Sequence, residues 1–118
     1  MIKKELFFHK DFSEVHVGAR SLGFSARFTP ASTVNDAEGH PVIQMALTQC
    51  NKQDKVFSKK VARKYLRERQ GQTVRVRDVP ALLAAADHRA FFGGFVEIDP
   101  EYVKRNLWAY EFIIRKMI

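Results

Sequence analysis

The sequence predicts an α+β domain, a small antiparallel sheet packed with two longer helices and one short Ala-rich helix. Three observations predict it. Apolar and polar residues alternate over Leu22–Thr29 and Val42–Cys50, the period of two of a strand. Over Ser58–Gln70 and Pro100–Met117 the apolar spacing changes to three and four, as on an amphipathic helix. At 118 residues and 46 % hydrophobic, with ten Phe and one Trp, the chain has material for one core, so residues 1–118 are read as one compact domain.

Taken in order, Leu6–His9 fits a short strand or a helix start equally, because Phe7 and Phe8 are adjacent and hide the period. Leu22, Phe24, Ala26 and Phe28 then form the apolar side of a strand that Pro30 is expected to stop. Ala31–Pro41 collects Ser, Thr, Asn, Asp, Gly and Pro, an exposed loop with a turn near Glu38-Gly39. Val42–Cys50 returns as the antiparallel partner. After a turn at Asn51–Lys55, Ser58 is placed to cap a helix, with Val56 and Phe57 before it as staple residues. Val61 and Tyr65, with Ala62, Leu66 and Arg69, are expected to face inward, and Gly71 to end the helix. Gln72–Arg77 reads as a strand with Thr73, Arg75 and Arg77 on one face. Asp78 and Pro80 open the Ala-rich helix Ala81–Asp87. Gly93-Gly94 makes a bend into a fourth strand, Phe95–Ile98. Asp99 caps the last helix, Pro100 fills its first position, and Val103, Leu107, Tyr110, Ile114 and Met117 make its inward stripe.

The charge is unevenly placed. Residues 52–77 hold ten of the twenty Lys and Arg against two acids, Asp54 and Glu68, a net of +8 where the whole chain carries +7. A basic module therefore sits on a nearly neutral body, the electrostatic footprint of a polyanion binder. Lys59, Arg63 and Arg67 stand above one another at i, i+4 and i+8, with Lys60 and Lys64 in a row beside them. Such a mixed row suits a phosphate track more than base reading, and Arg75 and Arg77 are expected to extend it. No helix-turn-helix, zinc-finger or aromatic RNA-binding signature occurs, so binding is expected to be weakly sequence-specific.

Within this module, Cys50, Asp54, Phe57, Ser58, Lys59, Lys60 and Arg63 form a C-x3-D-x2-F-S-K-K-x2-R pattern. It resembles segments of small uncharacterised bacteriophage proteins. The resemblance spans about 14 residues and implies a phage origin, with either nucleic acid or a host protein as target.

Candidates for catalysis are sparse. His9, His16, His40, His88 and Cys50 show no zinc spacing, so no metal or cofactor is expected. Asp11 with Glu14, or Asp36 with Glu38, would supply a metal-dependent nuclease only if folding brought a pair beside the basic row. The single cysteine suits a reducing compartment. With no apolar run long enough to span a membrane, the expectation is a cytoplasmic protein that does not engage membranes. Trp108, Phe112 and Arg115 lie outside the last helix's inward stripe; they are read as intrachain core or as a protein interface, with a homodimer the simplest assembly. The expected function is non-enzymatic nucleic-acid binding by Lys59, Lys60, Arg63, Lys64, Arg67, Arg75 and Arg77. The rival is a phage-encoded inhibitor or adaptor that docks on an acidic host protein through the same face or the aromatic helix.

Overall fold

The computed structural model describes residues 4–12, 18–94 and 96–117. Alternation along the chain builds a four-stranded antiparallel sheet in the order β1 (Leu6–Asp11), β2 (Ser21–Asn35), β3 (Pro41–Asn51) and β4 (Gln72–Arg75). Three α-helices accompany it: α1 (Lys59–Glu68), α2 (Val79–Phe92) and α3 (Pro100–Met117). The fold is α+β, as the sequence predicts.

The helices lie on both sides of the sheet. Phe24, Ala26 and Phe28 of β2, with Ile43 and Met45 of β3, meet Val79, Leu83 and Ala84 of α2 and Tyr110 and Ile114 of α3 in the main core. The intervening residues of β2 and β3 point to the other face, where α1 lies and buries Ala62 and Leu66. The basic helix thus forms a layer of its own.

This arrangement explains why β1 was ambiguous in sequence. Phe8, opposite Ala26, packs toward the main core, and Phe7, opposite Arg27, lies under the α1 arginines. Both faces are covered, so both of the adjacent Phe side chains find apolar or cationic partners.

Three expectations need correction. Strand β2 continues through Pro30 to Asn35; Pro30 stands at the start of a register shift, where the ladder is already irregular and a missing N–H costs little. The expected turn near Glu38-Gly39 is present, within Asp36–His40, where the Asp36 carboxylate accepts from the N–H groups of Glu38 and His40 at 2.9 Å each. Of the expected strand Phe95–Ile98, Phe95 lies outside the described residues and Val96–Ile98 form no strand. Only residues 93–99 separate α2 from α3, which pack on each other, so this link joins helix to helix and does not return to the sheet. The Ala-rich helix is not short either. It runs 14 residues against 10 for α1, because its buried positions continue through Ala90 until Gly93 turns the chain at φ +107°.

A buried polar cluster ties these layers together. Asp87 of α2, 1 % exposed, accepts hydrogen bonds from the hydroxyls of Tyr102 and Tyr110 and pairs with Lys10 Nζ of β1 at 3.2 Å. Burial and the Asp87 charge push both phenols above their ordinary pKa, so they remain donors. His88 beside it accepts the Asp99 N–H at 3.1 Å and fixes the start of α3. Among the described residues no helix is long and apolar enough to cross a membrane.

Candidate nucleic-acid interface

The segment from Cys50 to Arg63 sets the direction of α1. Cys50 stands near the end of β3, a 3-10 turn at Lys52–Asp54 reverses the chain, and the Ser58 hydroxyl accepts the Val61 N–H at 3.2 Å to cap α1. The Phe57 ring meets the His9 ring edge-on and packs against Gly23 so closely that a Cβ there would stand 2.8 Å from it. That same Cβ would stand 2.0 Å from the Lys10 carbonyl oxygen, and Gly23 holds φ +150°, so glycine is required at this point.

The helix is rolled relative to the sequence expectation. Ala62 and Leu66 point at the sheet, whereas Val61 and Tyr65 are 46 % and 51 % exposed. Beneath α1 the sheet presents the buried small residues Ser25 and Ala46.

This roll sorts the five cations into two groups. Arg67 grips Glu5 through both Nε and Nη2, the closest contact 2.7 Å, and Glu5 also accepts from Arg27 Nε at 2.7 Å. The two guanidiniums hold the Glu5 carboxyl below the usual range. Arg63 lies over the Phe7 ring at 5.2 Å, as Arg67 does from its own position, and donates to His9 Nε2 at 3.4 Å. The two arginines therefore fasten α1 to β1. Lys59, Lys60 and Lys64 are exposed and form no ion pair with any described residue. They are the charge left facing outward.

Arg75 and Arg77 do not extend this row along one strand. The strand ends at Arg75, and Arg77 belongs to a 3-10 turn that leads into α2. Arg75 reaches back to the hairpin tip, to Asp36 at 2.8 Å and Glu38 at 3.0 Å; the His40 N–H first, and Arg75 after it, hold the Asp36 carboxyl below its usual range. Arg77 is exposed beside Asp78 at 3.9 Å.

Next to the lysines, between α1 and the sheet, runs an open groove of about 240 Å³. Val56, Val61 and Tyr65 form its apolar rim, and Ser25, Thr48, Gln49 and Cys50 its floor, with Asp54 at one end. His9 Nδ1 stands 2.7 Å from Ser25 Oγ. Because His9 Nε2 accepts from Arg63, the ring's proton resides on Nδ1 and is donated to Ser25. Burial first, then the charges of Arg63 and Lys59, pull the His9 pKa down to about 4. In this tautomer His9 orients Ser25 and does not take its proton. Burial and the nearby Asp54 and Asp11 push the Cys50 thiol up, which disfavours the thiolate a nucleophile needs.

Among the described residues no three His, Cys, Asp or Glu gather as a metal site; Glu14 and His16 lie outside the described residues. At the opposite side of the molecule Trp108 and Phe112 are 70 % and 53 % exposed, with Arg115 exposed nearby and Lys116 Nζ 4.5 Å over the Phe112 ring. Trp108 is thus not core, and the even choice between core and outer surface falls to the surface. Sequence reasoning missed the groove because Val61 and Tyr65, at i and i+4, carry the same spacing as a buried stripe. Neither a family model, nor a curated protein, nor a solved structure matches the chain.

Proposed function

We propose that this protein binds nucleic-acid phosphates without catalysis and with little sequence preference, through the outward side of α1. One observation carries the reading: Lys59, Lys60 and Lys64 are exposed and without an ion pair among the described residues, on a helix whose neighbouring arginines are already neutralised or stacked. Three unpaired ammonium groups close together repel, and an anion relieves them. Phosphate contacts of this kind release counterions, so affinity falls as salt rises. Arg63 retains free guanidinium donors above Phe7 and adds a fourth contact. A reducing, cytoplasmic setting suits the free Cys50.

The test separates the two groups of cations. Replacing Lys59, Lys60 and Lys64 with Ala is expected to lower affinity for unrelated sequences to a similar extent and to flatten the salt dependence by about 2–3 in log–log slope. Binding is read by fluorescence anisotropy from 50 to 300 mM salt. Unchanged affinity in the triple variant ends the reading. Arg67→Ala is expected to act mainly through stability, because it releases Glu5.

The second reading, a phage-encoded inhibitor or adaptor on an acidic host protein, draws support from the α3 surface. Trp108 and Phe112, one turn apart and exposed, lie among Lys104, Arg105, Arg115 and Lys116, with Glu101 and Glu111 on the same side. Aromatic centres with cationic surroundings suit a protein partner of negative charge. Capture from host lysate with and without nuclease treatment divides the readings. Loss of all partners after nuclease supports nucleic acid, and retention of a single acidic protein through Trp108 supports the adaptor.

A further inference from the structure

On α1 two rows run side by side. Lys60 and Lys64 form one, and Val61 and Tyr65, the next residues in sequence, form the other along the rim of the groove. A ligand lying on the lysine row therefore has an aromatic face within reach. We infer that the groove takes an unpaired nucleobase stacked on Tyr65, from a single strand whose phosphates follow Lys60 and Lys64. This rests on the phosphate-binding reading above and adds the class of strand that is preferred.

Size, floor and charge all favour a base over other occupants. A closed cavity of about 150 Å³ holds a benzene ring, so an open groove of about 240 Å³ accommodates a ring with its exocyclic groups. The floor offers the hydroxyl of Thr48, which matches the edge of a heterocycle better than an aliphatic side chain. The charged group lining the groove is Asp54. A carboxylate repels phosphate and accepts from an exocyclic amine, so the phosphate stays outside on the lysines and the base enters. The half-exposed Tyr65 ring supplies the stacking face that single-strand binders use. In a duplex the base faces are occupied by their neighbours, and Tyr65 has nothing to stack on.

The experiment compares a fluorescent single-stranded 12-mer of mixed sequence, the same length of duplex, and an abasic single strand. The parent protein is expected to bind the base-bearing single strand most tightly. Tyr65→Ala is expected to weaken that strand by about tenfold while leaving the abasic strand unchanged, and Tyr65→Phe to restore it. Lys60→Ala with Lys64→Ala is expected to weaken all three. An independent readout needs no variant: the base-bearing strand is expected to slow alkylation of Cys50 at the groove floor by N-ethylmaleimide, and the abasic strand is not. Equal binding of abasic and base-bearing strands, or unchanged affinity in Tyr65→Ala, overturns the base site while phosphate binding stands. Competition by an acidic peptide as strong as by the oligonucleotide also overturns it. Absence of binding to any of the three strands overturns both readings.

Discussion

At the residue scale, the most constrained group is Asp87. Its two oxygens take two phenol donors from α3 and a lysine from β1, so removing it strands buried partners. Asp87→Ala is expected to cost about 3 kcal/mol, at the lower end for a broken buried pair because Lys10 is partly solvated; urea denaturation measures it. His9 carries the pH response. Its folded pKa of about 4 lies below its ordinary 6.5, so between these values the unfolded chain takes up a proton that the folded chain refuses. Stability is therefore whole above that window and falls as pH drops through it. The midpoint of denaturation is expected to decline from pH 7 to 4.5, and to do so less in His9→Gln. Glu5 and Asp36, whose lowered pKa values act at more acidic pH, leave this window to His9.

At the scale of elements, α1 is a helix held by a narrow apolar line and two arginine clamps. Leu66 is fully buried beneath it, whereas Val61 is 46 % exposed. Leu66→Ala is expected to lose about 2–5 kcal/mol and Val61→Ser to change stability by about 0.5 kcal/mol or less. Thermal or chemical unfolding of the two variants distinguishes this roll from the one with Val61 and Tyr65 inside, for which the Val61 loss would be large. The clamps also explain an economy in the sequence. Arginines at 63 and 67 match the planar partners Phe7 and Glu5, while the outward positions are lysines, which serve as mobile point charges.

At the scale of the whole molecule, two surfaces lie on opposite layers: the lysine row on α1 and the aromatic pair on α3. Trp108→Ala is expected to leave stability within about 0.5 kcal/mol of the parent, and Tyr110→Ala to lose about 3–5 kcal/mol, because Tyr110 is buried against Phe8 and Phe24. A homodimer through α3 is read in sedimentation velocity, where Trp108→Ala is expected to shift a dimer toward monomer. A parent protein that sediments as a monomer at tens of micromolar ends the homodimer proposal.

The sequence by itself determined the elements whose two sides differ in polarity. Strand β2 near Phe24–Phe28, the Ser58 cap and the start of α3 at Pro100 were all legible, because each is encoded by residues within a few positions of one another. So was the concentration of charge in residues 52–77. An element covered on both faces was not, since β1 hides its period behind Phe7 and Phe8; nor was the largely exposed link Val96–Ile98, which reads as a strand until the short connection between α2 and α3 denies it a sheet edge. The candidate site was legible as a set of cations and not as a surface. Only tertiary structure decided which cations remain outward, since Glu5 and Arg67 lie far apart in the chain and meet across β1 and α1. It also decided the roll of α1, because stripes one residue apart on a helix differ by about 100° and the pattern fits both, while the sheet beneath has room for only one.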